Sequence, residues 1–254
     1  MTAQLQTSML IAVLLASVRA AAWLVVCPPF NARVIPGQVK ALLAVAISLP
    51  VAPGLAARVP DLSTAALLGS AVEQVVVGAA LGFLTALVFA AVQAAGELID
   101  LFGGFSVAFA FDPLSFTGNS VFGRFYNLLA TTLLFATDAH LLVLRGFTQS
   151  YRSLPLDGTL SLATLGSALT TGLGQLFLAA LEIAGPLIGV LFLADVGLGL
   201  MSRAAPALNA FALGFPAKIL ITLCLVSLAI VLLPQSVRAL TEQAVRGMLG
   251  VAGS

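Results

Sequence analysis

The sequence predicts an all-α, polytopic membrane fold of about six long, partly broken helices, with an irregular apolar loop between the third and fourth. Three observations carry that expectation. Of the 254 residues, 60% are hydrophobic and 8% are charged, against roughly 25% charged in a soluble domain; so few charges cannot cover a water-soluble surface. Uncharged runs recur at Met1–Val18, Ala41–Ala57, Gln74–Gly96, Thr159–Leu181 and Ile219–Val237, and only Asp138 and His140 interrupt Phe125–Leu144. Each is near the ~20 residues that a helix needs to cross hydrocarbon. Finally, seven of the sixteen phenylalanines and four glycines fall between Phe102 and Phe125, a stretch too apolar for a solvated loop and too rich in glycine for a stable helix.

In order, helices are expected over roughly 5–26, 39–57, 66–96, 124–148, 160–195 and 207–235. The first has no charge before Arg19. It lacks the basic start and the small-residue cleavage site of a signal peptide, and reads as a retained helix. A polar turn over Asn31–Lys40 precedes the second, which Pro50 and Pro53 end early. The third carries Gly78-Ala-Ala-Leu-Gly82, a spacing that permits close helix approach in lipid. In the fourth, His140 has no companion imidazole, so packing or capping is expected of it rather than metal binding. The fifth is too long for one perpendicular crossing; either its start lies outside the bilayer or it breaks near Gly185–Pro186. Gly185-Pro-Leu-Ile-Gly189, with Gly197 and Gly199 beyond, repeats the small-residue spacing. A short, weakly amphipathic tail is expected last, with Arg238, Glu242 and Arg246 on one face.

Net charge is +1, which excludes a nucleic-acid patch or an acidic tail as the basis of function. Cys27 and Cys224 sit among apolar neighbours and read as small buried hydrophobes. No phosphate-cradling loop, nucleophile elbow, metalloprotease helix or Cys/His constellation occurs, so neither catalysis nor a cofactor or metal is expected. With six spans the two sets of turns hold five Lys/Arg each: Arg33, Lys40, Arg124, Arg203 and Lys218 against Arg58, Arg145, Arg152, Arg238 and Arg246. The positive-inside rule therefore gives no orientation. Glu73, Glu97, Asp100, Glu182, Asp195 and Lys218 lie in or beside apolar runs, where each costs about 2.5–3.5 kcal/mol to insert unpaired. Most border Gly- or Pro-bearing turns, so interhelical or intersubunit polar contacts are expected rather than a proton relay. Glu97 and Asp100, three apart, share one helix face.

Irregular backbone at membrane depth is tolerated only where protein buries it or where it lines a cavity. The phenylalanine-rich segment is thus the strongest pointer to function: large apolar rings in a narrow pore exclude water and block ions. The alternative is a static wall packed on neighbouring helices. Gly103, Gly104, Gly118 and Gly123 supply hinge positions for a loop that swings. Asp112 before Pro113 favours a turn at its tip.

The run Asp195–Lys218, with Arg203, Pro206, Asn209, Gly214, Phe215 and Pro216, closely resembles the signature of the FliR family. The likeness extends to Arg19, Pro28–Pro29, Pro36, Lys40, Gly96–Asp100, Gly103 and Asp112–Pro113, and so covers essentially the whole chain. Ala207 departs from the Gln of many relatives, which puts a polar contact there in doubt. The resemblance implies a non-enzymatic subunit of the bacterial flagellar type III export gate, in the inner membrane at the flagellar basal body, passing unfolded flagellar proteins. It implies FliP-, FliQ- and FlhB-like partners in a hetero-oligomer, much of it standing above the membrane plane. Residues 1–180 would be FliP-like helices and 181–254 a FliQ-like hairpin of a single export-gate domain. A plug is implied at about 105–119, with Phe105, Phe109, Phe111, Asp112, Pro113, Leu114 and Phe116. Asp195, Arg203, Pro206, Asn209, Pro216 and Lys218 would serve assembly. The alternatives are an injectisome component of the SctT type, a secondary transporter (which predicts two similar halves) and a purely structural scaffold.

Overall fold

The hydrophobic runs fold as helices throughout the computed structural model, which describes residues 2–60, 63–105, 120–158, 160–205 and 210–252. Nine α-helices occur among the described residues: α1 (Thr2–Val26), α2 (Gly37–Ser48), α3 (Ala52–Leu55), α4 (Thr64–Gly103), α5 (Val121–Ala136), α6 (Ala139–Ser153), α7 (Leu162–Ala204), α8 (Ala210–Ala229) and α9 (Leu233–Ala252). A 3₁₀ turn, Ala56–Arg58, follows α3. Among the described residues, three helices are long and apolar enough to cross a membrane, and up to six crossings result if each broken pair counts as one. The expected polytopic, all-helical architecture is what the chain adopts.

The breaks have local causes. Around Pro50 the chain leaves α2 and enters α3, which has a proline in its first turn, and the two pieces meet at a bend of 66°. Proline is well placed there, because its missing N–H has no helical partner to lose. The fourth expected helix is two, α5 and α6, parted by Asp138 in the left-handed region at φ 56°. Aspartate is among the few residues that visit that region readily. Ile230–Leu232 likewise part α8 from α9, so the sixth expected helix is also divided. Two expectations need correction. The fifth helix does not break at Gly185–Pro186: α7 runs unbroken for 43 residues with Pro186 inside it. A proline within an apolar helix is tolerated where neighbouring groups re-satisfy the freed carbonyl. The tail is not short either: α9 is a 20-residue helix.

The chain forms two compact units, residues 1–88, 138–174 and 241–254 in one and residues 89–137 and 175–240 in the other. In the first, Trp23 stacks on Phe147 with ring centroids 4.5 Å apart, and Tyr151 meets Phe147 edge-on at 5.4 Å. Beside them Arg19 is fully buried. Its guanidinium donates to Gln74 Oε1 (2.6 Å), to the Leu154 carbonyl (2.9 Å) and to the Ser150 carbonyl (3.3 Å), and lies 4.5 Å from the Tyr151 ring centroid. Five fixed N–H donors let one Arg tie three helices together; a Lys has no such fork. A Cβ at Gly78 would overlap the Arg19 carbonyl, and one at Gly82 would lie 2.9 Å from the Trp23 oxygen. The Gly-x-x-x-Gly spacing thus packs α4 on α1 as expected. The second unit's core includes Val92, Ile99, Tyr126, Ala130, Leu187, Leu191 and Val226.

Candidate functional site

The second unit contains the two helix ends that flank residues 106–119. α4 and α5 run antiparallel there: Asn127 Nδ2 donates to Gln93 Oε1 at 3.1 Å, and a Cβ at Gly96 would overlap the Phe122 carbonyl. Closer to the ends, Asp100 Oδ2 accepts the Ser120 hydroxyl and the Phe122 N–H (3.0 Å). Ser120 Oγ in turn accepts the Gly123 N–H at 2.7 Å. Ser120 is therefore the N-cap of α5, satisfying donors that a helix start leaves orphaned. The Asp100 carboxylate adds a negative charge where the α5 dipole is positive. Phe105 meets Phe122 edge-on with centroids 5.1 Å apart. One clasp of a carboxylate, a hydroxyl and two rings fixes both entrances of the 106–119 segment.

Glycines make this closeness possible. Gly103 ends α4 against Thr222, where a Cβ would lie 2.8 Å from Thr222 Oγ1. Gly104 has φ +84° and faces Phe215, so only a residue without Cβ fits without strain. Gly123 stands in the first turn of α5, where a Cβ would lie 2.8 Å from Glu97 Cγ. Of the predicted hinge residues, Gly103 and Gly123 occupy tight helix contacts and Gly104 supplies the turn; Gly118 lies outside the described residues. Of the plug residues, Phe105 is described, while Phe109, Phe111, Asp112, Pro113, Leu114 and Phe116 lie outside them.

The residues expected to serve assembly gather on a second hairpin, α7–α8. Lys218 Nζ lies 2.8 Å from Asp195 Oδ1 and 2.9 Å from Oδ2. The contact joins the helices near the point where Gly214 lets Leu198 approach, at 3.2 Å from a Cβ placed there. Lys218 is thus paired within the chain. Asp195, Ser202, Gly214, Phe215 and Lys218 border a cavity of about 220 Å³. Arg203 is exposed near the end of α7 and Pro216 lies within α8; Pro206 and Asn209 lie outside the described residues. The other acidic residues also find roles at helix ends and edges. Glu73 accepts the Leu160 N–H ahead of α7, Glu97 accepts from Gln93 at 2.9 Å, and Glu182 borders an apolar cavity of about 310 Å³.

A family model described as "Bacterial export proteins, family 1" matches residues 10–244. The chain belongs to that family. Among its relatives, the flagellar biosynthetic protein FliR of Escherichia coli K12 is 36% identical over 79% of this chain and 77% of its own length. FliR of Pectobacterium carotovorum is 34% identical over 85% of this chain and 83% of its own. The surface presentation of antigens protein SpaR of Shigella sonnei is 29% identical over 61% of this chain and 59% of its own. Within this bacterial export chain, sequence reasoning missed Ser120, Phe122, Gln93 and Asn127 as members of the clasp. For Ser120 a signal existed: a serine just ahead of a renewed apolar run is a helix-start pattern. For the other three nothing local marked the pairing.

Proposed function

We propose that this chain is a non-enzymatic subunit of a flagellar type III export gate in the bacterial inner membrane, and that residues 105–119 form its plug. The observation that carries the reading is the clasp: Asp100, Ser120, Phe105 and Phe122 pin both ends of one phenylalanine-rich segment on the α4–α5 hairpin. The middle bears Phe109, Phe111 and Phe116 around Asp112–Pro113, a composition that excludes water from a narrow opening. The two FliR proteins described above match more of the chain, and at higher identity, than SpaR does, which favours the flagellar branch over the SctT one.

Assembly with FliP-, FliQ- and FlhB-like subunits follows from the same reading, with 181–254 as the FliQ-like hairpin and Asp195, Arg203, Pro206, Asn209, Pro216 and Lys218 as assembly residues. α7 supports it: only 28% of its most apolar window is buried within the chain, against 67% for α4. Phe177, Leu178, Phe192, Leu193 and Leu200 are more than half exposed, leaving surface for lipid or other subunits. The test is to replace residues 105–119 by a Gly/Ser linker in the assembled complex. Ion conductance is expected to rise while co-purification of the other subunits persists. Unchanged membrane resistance refutes the plug; loss of assembly alone shows a structural wall.

A further inference from the structure

A polar cavity lies within the first unit. It has a volume of about 650 Å³, within the roughly 300–1,000 Å³ of small-ligand sites. Three arginines line it. Arg58 ends the 3₁₀ turn after α3, while Arg145 and Arg152 project from α6 with Gln149 between them. Positions 145, 149 and 152 share one helix face, so two elements distant in sequence converge on the site. No acidic residue is among the lining. Three guanidinium groups around one opening make it favourable for an anion. Val51 and Leu55 add an apolar border to the same cavity.

We propose that this cavity binds the phosphate of an anionic membrane lipid. The guanidinium fork matches phosphate oxygens with paired hydrogen bonds. Basic pockets between helices at the membrane surface recognise anionic headgroups. The cavity lies between the C-terminal half of α6 and the segment from Pro50 to Arg58. The apolar border suits the first carbons of an acyl chain, which a free phosphate would leave unused. The site is independent of the plug reading and survives its failure.

The experiment uses the full chain in nanodiscs of phosphatidylcholine with or without phosphatidylglycerol. Arginine modification by phenylglyoxal is mapped by peptide mass spectrometry. Phosphatidylglycerol should protect Arg58, Arg145 and Arg152, and phosphatidylcholine should not. Native mass spectrometry should show phosphatidylglycerol retention falling roughly tenfold or more in R58Q/R145Q/R152Q, but not in the charge-matched R33Q/K40Q/R124Q. Equal retention in the two variants overturns the site. If millimolar inorganic phosphate alone gives full protection, the anion is a free phosphate and the lipid assignment falls. Protection in the delipidated, assembled complex would instead show an acidic segment of another subunit in the cavity, and overturns the proposal as well. Should the triple variant not fold, protection of the unaltered chain decides alone.

Discussion

Asp100 concentrates the chemistry of the clasp in one carboxylate. Its Oδ2 takes the Ser120 hydroxyl and the Phe122 N–H, and the residue is 3% exposed. Removing a partner from a buried donor costs the donor's desolvation, about 1–3 kcal/mol. D100A is therefore expected to lower the chain's stability by that amount in denaturant titrations in detergent. S120A, which removes the cap, should cost about 1 kcal/mol. Because both substitutions break the same bond, D100A/S120A should cost less than the two added together; strict additivity would show that the carboxylate and the cap act independently. A different residue, Cys27, shows burial acting on reactivity. Its thiol is pushed up to about 12 by desolvation, so it stays protonated at neutral pH and lacks the thiolate that alkylating reagents attack.

Helices are where the sequence was most and least informative. All six expected helical stretches exist, because uncharged runs near 20 residues have no other low-energy state in lipid. Their interruptions followed rules that composition shows only in part. Pro50 marked a real break, whereas Pro186 did not, since helix interiors in apolar surroundings hold proline when neighbours compensate. Asp138 divides α5 from α6 through a left-handed backbone that no apolar pattern announces. On the α7–α8 hairpin, Lys218, proposed above as an assembly residue, pairs with Asp195 of its own chain. An exposed pair of this kind contributes up to about 1 kcal/mol in water, and here Asp195 is 47% exposed and Lys218 14%. The pair ties α7 to α8. K218E should reduce co-purification with FliP- and FliQ-like subunits several-fold, and D195K/K218E should restore it. Failure of the swapped pair to recover assembly would show that Lys218 is needed by another subunit and not by the hairpin.

The direction of each pass through the first unit can be read from which residues meet. Gly78 packs on Arg19 and Gly82 on Trp23, so α1 and α4 run the same way. Glu73 meets Leu160, and Leu84 and Leu87 meet Gly172, so α7 shares that direction. α6 opposes them: Arg19 reaches Leu154 while Trp23 stacks on Phe147. The three helices able to cross a membrane alone are therefore parallel, and each connection between them must retrace the distance. Between α1 and α4 the chain has α2, only 12 residues long, or about 18 Å of helix, followed by α3 and the 3₁₀ turn at a bend of 66°. A re-entrant hairpin that enters and leaves on one side would make a different prediction. Spin labels at R33C and S63C, with Cys224 replaced by Ser and Cys27 left in its inert buried state, should lie roughly 30 Å apart, the rise of the α4 segment between Thr64 and Gly82. A pulsed dipolar distance well below about 20 Å would mean that residues 27–63 turn back without descending. The alternating six-pass path would then give way to three crossings. At the retraced distance the turns keep five Lys/Arg on each side, so the chain's own charges give it no orientation.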